Sequence, residues 1–185
     1  MASVAPCRAT YDDLLALPRI VVGEIIGGEL HTQPRLGGPH AAVASLLGMV
    51  LGNPFHRGSG GPGGWIILDE PELHLGADIL VPHLSGWRRT RMPEVPDAAA
   101  FNLPPDWVAE VLSPSTAALD RVQKLPIYAR ENVSHVWLLD PRLQTLEAFA
   151  LGARYELLGA WRGSESARVA PFEDMELELA ALWAR

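Results

Sequence analysis

A mixed α/β fold around one core is what the sequence predicts, and three observations predict it. A strand–turn–helix unit, DWVAEVLSPSTAALDRVQKLPIYAR at 106–130, stands in the middle of the chain. Near the N-terminus, RIVVGEII and ELHTQ are joined by Gly27-Gly28 and read as a β-hairpin, because two glycines supply the positive φ that a tight turn needs. Further short apolar runs bounded by Gly, Pro and Asp follow at 65–68, 78–81, 133–139, 144–151 and 154–161. They do not alternate with helices in the regular βαβ manner of a nucleotide-binding fold.

The central unit carries the most chemistry. Residues 106–112 are mostly apolar on both faces, which predicts an interior strand, with Glu110 set among Val108, Ala109, Val111 and Leu112. A carboxylate in such a strand needs a partner, since an unpaired one would neutralise rather than stay charged. Ser113-Pro114-Ser115-Thr116 breaks the strand, and Ser115 or Thr116 can cap the helix expected from about Ala117 to Arg130. That helix places Leu119, Val122, Ile127 and Ala129 near one side, and Pro126 within it predicts a kink or a broken turn. Lys124 lies on it. The chain has fourteen arginines and this one lysine, so arginine serves wherever a solvated positive charge suffices. A retained lysine offers a compact ammonium that can orient a water or help deprotonate it; one lysine kept by chance on a wet helix face is the plainer explanation.

Taken in order, Thr10 caps a short helix through Leu17, with Asp12 and Asp13 in its first turn, and Pro18 ends it. Glu24 interrupts the first hairpin strand and Glu29 opens the second; edge-strand solubility accounts for both on pattern alone. Pro39-His40 leads into AAVASLLGMVLG, whose Val43, Leu46, Leu47 and Val50 recur at helical spacing. His40, at the first turn of that helix, can face a site or merely bond to backbone. The glycines of 53–64 form an irregular connection, and without a following lysine and serine or threonine they are not a phosphate-binding loop. Asp78 opens one strand and His83 follows its end. Five positions apart, they point to opposite faces of a regular strand, so both enter one site only if Pro82 or a bulge turns the chain. Gly86 to Arg91 places Arg88, Arg89 and Arg91 beside Trp87, a candidate phosphate contact with a stacking face. The segment 92–105, with four prolines, reads as an ordered loop. A short strand at 168–170, a turn at 171–174 and a helix from about Leu177 to Trp183 complete the chain.

Composition bounds the function. At 185 residues and 48% hydrophobic content the chain suits one domain with a sizeable core. A net charge of −7 argues against a protein that coats DNA through its phosphates, though not against an enzyme that touches nucleic acid briefly through a metal ion. Cys7 is the only cysteine, which excludes an intrachain disulfide and a cysteine metal cluster. No apolar run approaches the length of a membrane span and no signal region is evident, so the expected location is the cytoplasm.

The strongest joint reading combines Glu24, His40, a ligand at 78 or 83, Glu110 and Lys124: carboxylates at strand ends hold a hard divalent ion that activates water against a phosphodiester, magnesium by default and manganese where histidine is a ligand. Here the ordered segments GEIIGGEL (23–30), His40 before an apolar helix, VPHLSGWRR (81–89), AEVLSPST (109–116), DRVQKLPIYAR (120–130) and HVWLLDP (135–141) resemble the Uma-two family of endonucleases, a branch of the restriction-endonuclease-like or PD-(D/E)XK fold. The resemblance covers nearly the whole chain. It implies a central mixed β-sheet flanked by helices with an N-terminal hairpin, a homodimer, and metal-dependent cleavage of DNA. By position it makes Glu24 the helper acid, Glu110 the acidic residue of the half-motif and Lys124 its basic residue displaced onto the following helix, Leu112 standing at the usual lysine position. It matches His40 to a first-helix histidine and gives Tyr128 and Asp140 supporting roles. The aromatics Trp87, Trp161 and Trp183 are candidates for the dimer surface.

One departure bears on activity. The family pattern has Pro-Asp where this chain has Pro82-His83, and an imidazole lacks the charge and bidentate oxygens of aspartate. Either Asp78 compensates, or the chain has weakened or altered metal use, or it keeps the fold as a catalytically inactive nucleic-acid-binding or regulatory homodimer. A carbohydrate- or small-acid-processing enzyme built on Glu24 and Glu110 is a third reading, without a recognisable sugar platform.

Overall fold

The structure is a computed structural model that describes residues 8–34 and 37–183; Cys7 lies outside the described residues. Two sheets organise the chain. The first takes β1 (Val21–Ile26), β2 (Glu29–Pro34), β4 (Glu72–Leu75), β5 (Asp78–Leu80) and β7 (Ala100–Phe101) in the order β2-β1-β5-β4-β7. The second takes β3 (Trp65–Asp69), β6 (Leu84–Arg88), β8 (Trp107–Val111), β9 (His135–Asp140), β10 (Thr145–Leu151) and β11 (Tyr155–Arg162) in the order β11-β10-β9-β8-β6-β3. It is mixed: β8 and β9, joined by a crossover through a helical segment, run parallel, and its other neighbours are antiparallel.

Alternation along β8 decides what each face does. Trp107, Ala109 and Val111 point into a core shared with helix α2 (Gly38–Leu51) and the C-terminal segment, where Phe172 packs against Trp65, Trp107 and Trp137. Val108 and Leu112 point the other way, into the core shared with β1, β4 and β5. Glu110 has the parity of this second face, and so does Glu24 with respect to Ile26 on β1. Both carboxylates are therefore directed into the layer between the sheets.

Several expected elements differ. The helix of 117–130 forms in three pieces: α3 (Ala117–Leu119), a π-helical turn (Asp120–Lys124) and α4 (Leu125–Arg130). Pro126 is the second residue of the last piece, in the first turn where proline is tolerated, and the widened turn precedes it. Val122, expected on the packed side, is 70% exposed, whereas Lys124 is buried. Gly52–His56 continues α2 as another π turn that buries Phe55, so the connection after α2 is ordered at its start. Residues 168–170 form no strand. Instead β12 (Ser166–Ala167) pairs with β13 (Leu177–Glu178), and the expected C-terminal helix is a 3-10 turn, Leu179–Leu182. Near the N-terminus α1 (Tyr11–Leu15) is capped as expected, with Thr10 donating to Asp13 Oδ2 from both its backbone N–H and its hydroxyl. The patch around Trp87 is the strand β6, and Trp87 is fully buried with its indole N–H donating to Leu103 O, so it offers no stacking face. Trp161 and Trp183 are partly buried and pack against the α2-side core.

Candidate active site

Lys124 sits at the centre of the layer between the sheets. Its Nζ lies 2.9 Å from Glu24 Oε1, 3.3 Å from Glu110 Oε1 and 3.2 Å from Asp120 Oδ1, with every one of these side chains at most 2% exposed. Each comes from a different place in the chain: Glu24 from the hairpin, Glu110 from the interior strand, Asp120 from one turn earlier on the helical segment. A lysine ammonium is compact and has three donors, which suits three oxygens converging on one atom.

Glu110 is fully buried and doubly engaged. Tyr128 donates its hydroxyl to Oε1 at 2.6 Å, and His83 Nδ1 stands 2.8 Å from Oε2. The Val111 N–H is also 3.2 Å from His83 Nδ1. The shorter contact to a carboxylate requires the proton on Nδ1, so the imidazole donates to Glu110. Glu24 Oε1 accepts the backbone N–H of Val81 at 2.8 Å, which ties the segment before His83 to the hairpin.

The charges shape one another. Burial would push the Glu110 carboxyl up, but the Lys124 charge and the hydrogen bonds from His83 and Tyr128 outweigh it and hold the group down at about 2. Burial opposes the charged form of Lys124 as well; Glu110, Glu24 and Asp120 outweigh it and keep the ammonium protonated well above its ordinary range. Tyr128 is raised by burial and by the neighbouring carboxylates, so it remains a hydroxyl donor. Asp120 goes the other way from Glu110: burial and the Glu110 charge raise it to about 6 against the pull of Lys124.

Above the cluster a cleft of about 290 Å³ opens between the hairpin and the turn before α3, with Glu24 in its lining, His31, Thr32 and Gln33 on one side and Ser115 and Thr116 on the other. The turn is held by its own hydroxyls: Ser113 N–H donates to Thr116 Oγ1 at 3.2 Å and Thr116 N–H to Ser113 Oγ at 3.1 Å.

Other residues singled out in the sequence stand elsewhere. Asp78 accepts from Gly27 N–H at 2.7 Å and pairs with Arg130 at 3.0 Å, closing the hairpin turn; of the two residues at 78 and 83, His83 touches Glu110. Between them the chain leaves β5 of the first sheet at Leu80 and enters β6 of the second at Leu84, and the two side chains end in different surroundings. His40 Nε2 donates to Leu112 O at 2.8 Å, anchoring the start of α2 to the end of β8. Asp140 accepts the N–H groups of Arg142 and Leu143 and shapes the turn after β9. The arginines lie at the opposite end of β8 from Glu110: Arg88 stacks over Trp65 at 4.5 Å, Arg89 donates to Pro93 O, and Arg91 pairs with Asp106 at 2.9 Å. Asp120 is the member of the cluster that sequence reasoning missed. Its signal was present, an aspartate four residues before the sole lysine, a spacing that brings helical side chains together.

A hard divalent ion requires several donors converging on one point. Among the described residues no group of three or more His, Cys, Asp or Glu side chains is arranged to hold a metal. Two donors are adjacent: Glu110 Oε2 and His83 Nδ1, at 2.8 Å. A hydrogen bond accounts for that spacing; neighbouring ligands on an octahedral ion stand about 3.0 Å apart for bonds of about 2.1 Å at a right angle. An ion there would have to displace the Nδ1 proton and take its remaining ligands from water and a phosphate.

The mixed sheet with flanking helices is a restriction-endonuclease-like α/β architecture. Its fold is shared with the crystal structure of a "putative nuclease belonging to DUF820" from Anabaena variabilis, at a TM-score of 0.72 and 23% identity over 95% of this chain and 97% of that one. Residues 9–181 match the Uma2 family, described as "Putative restriction endonuclease", and the chain belongs to that family. No curated protein matches it. Among the described residues no helix is long and apolar enough to cross a membrane.

Proposed function

We propose that this chain is a divalent-metal-dependent nuclease that hydrolyses DNA phosphodiester bonds as a homodimer. The observation that carries the reading is the meeting of Glu24, Glu110 and Asp120 on Lys124 at the end of an interior strand, beneath a cleft. Glu110 and His83 would hold the ion, magnesium or manganese, which would polarise the phosphodiester and lower the barrier to attack by water. Lys124, held as an ammonium with its donors turned to the carboxylates, keeps Glu110 and Glu24 in place and balances their charge rather than taking a proton. Tyr128 and His83 fix the Glu110 carboxylate in one orientation, and Glu24 fixes Lys124. His40 supports the strand end through Leu112. For the homodimer, the edge strand β11 offers a surface: its Leu157 and Leu158 are 58% and 48% exposed.

The test is cleavage of single-stranded, duplex and branched DNA by purified protein with magnesium, manganese or EDTA, alongside Glu110→Gln and His83→Asp. Metal-dependent cleavage by the parent, abolished in Glu110→Gln, is the expected result. Absence of cleavage by both the parent and His83→Asp, with folding and metal exposure verified, would favour an inactive nucleic-acid-binding or regulatory homodimer. Light scattering across a concentration series reads the assembly, and a single-chain mass throughout would rule the dimer out.

A further inference from the structure

The lysine-centred cluster is short of positive charge. Glu24, Glu110 and Asp120 surround one ammonium, and all four groups are cut off from solvent. Glu110 is compensated further by donors from Tyr128 and His83, and Glu24 by the Val81 N–H. Asp120 has less. Lys124 Nζ is 3.2 Å from its Oδ1 and the Thr116 hydroxyl is beside it, but neither carboxylate oxygen accepts an aligned hydrogen bond, at 1% residue exposure. A buried carboxylate in that condition is costly, and the inexpensive remedy is a proton.

We propose that Asp120 is a positioning residue of the site: a buried carboxyl group that takes up and releases a proton beside Lys124 and so sets how the ammonium is shared among Asp120, Glu24 and Glu110. When Asp120 is protonated, Lys124 is left to Glu24 and Glu110; when it is ionised, it competes for the same ammonium and loosens the hold of the other two. The groups facing it support this assignment. Lys124 on its own turn is positive, Glu110 on β8 and Glu24 on β1 are negative, and Tyr128 on α4 is a neutral hydroxyl already donated to Glu110; His83 gives its proton to Glu110 from the far side. The π-helical turn spans Asp120 to Lys124, setting both side chains on the buried side while Val122 between them faces solvent.

The electrostatic balance agrees, since burial and Glu110 raise the Asp120 carboxyl to about 6. A carboxyl raised on folding binds its proton more tightly in the folded than in the unfolded chain, so its contribution is full below the ordinary range near 3.8 and is lost as pH rises through about 6.

Only the activity arm of the test rests on the nuclease reading. Unfolding of the parent and of Asp120→Asn, the uncharged shape mimic, is followed from pH 4 to 8. The expected result is near-equal stability at pH 4 and a more stable Asn variant above pH 6. An Asn variant less stable than the parent at pH 7.5 would overturn the proposal by making Asp120 a permanently ionised partner of Lys124. Carboxyl-carbon NMR on the parent reads the same proton without any variant: a midpoint near 6 is expected, and one near 4 overturns the idea. In cleavage, the parent should show a pH transition that Asp120→Asn lacks and Asp120→Glu retains at a shifted midpoint; a transition unchanged in the Asn variant assigns it to another group and overturns the positioning role. A parent without cleavage refutes the nuclease reading, while unfolding and NMR still decide whether Asp120 holds the proton.

Discussion

At one end of β8, Lys124 is 1% exposed and three carboxylates converge on its nitrogen; at the other end, Arg91 keeps 40% of its side chain in solvent and meets Asp106 alone. Arg88 and Arg89 beside it lie over a tryptophan ring and against a backbone carbonyl. The same strand thus holds positive charge in two manners. Where water shares the work, this chain uses arginine. Where several oxygens must be satisfied by one atom in a closed space, it uses its single lysine, because a planar guanidinium spreads its donors too widely for oxygens converging on one point. The buried end is where removal of a partner leaves a charge stranded; at the open end, solvent replaces what is lost.

The largest effect is expected from Lys124→Ala, which strands three acidic side chains: a loss of about 3–5 kcal/mol, read by chemical denaturation. Lys124→Arg should recover only part of it, and full recovery would erase the distinction between the two ends. Next, Glu110→Gln should preserve the fold while lowering turnover by about 10²–10³-fold, measured under single-turnover conditions. His83→Asp, which restores the carboxylate of the family pattern, should raise magnesium-dependent cleavage relative to manganese-dependent cleavage; equal activity in both metals would mean that His83 is not a donor. Acid then separates the ends. The Glu110 carboxyl is depressed on folding, so the stability it contributes is present above its ordinary value of 4.5 and lost as pH falls through about 2; Glu110→Gln should flatten that part of an acid titration. Smallest is Arg91→Ala, expected to change stability by about 0.2–1 kcal/mol, decreasing with added salt. A loss as large as that of Lys124→Ala would overturn the contrast.

The sequence by itself determined the pieces whose causes are local. Apolar residues on both faces marked 106–112 as an interior strand, Gly27-Gly28 marked the hairpin, and Ser113 to Thr116 marked the turn between strand and helix. The lone lysine and the carboxylate in an apolar strand were legible as chemistry that wanted partners, and the family resemblance joined Glu24 to them. What only the tertiary structure decided was direction and company. Whether Asp78 or His83 reaches Glu110 depends on how the chain turns through Val81-Pro82, which no local pattern records. His40 was readable as a helix-start histidine, yet its bond to Leu112 O depends on α2 packing over β8. The arginine run looked like a surface beside the site because sequence distance hides that β6 runs antiparallel to β8, carrying Arg88 away from Glu110. Asp120 escaped notice because a polar residue on a helix reads as solvated until packing is known. Its burial follows from the hairpin closing over the π-helical turn, and a contact between residues 24 and 124 is made by the fold as a whole, beyond the reach of any local propensity.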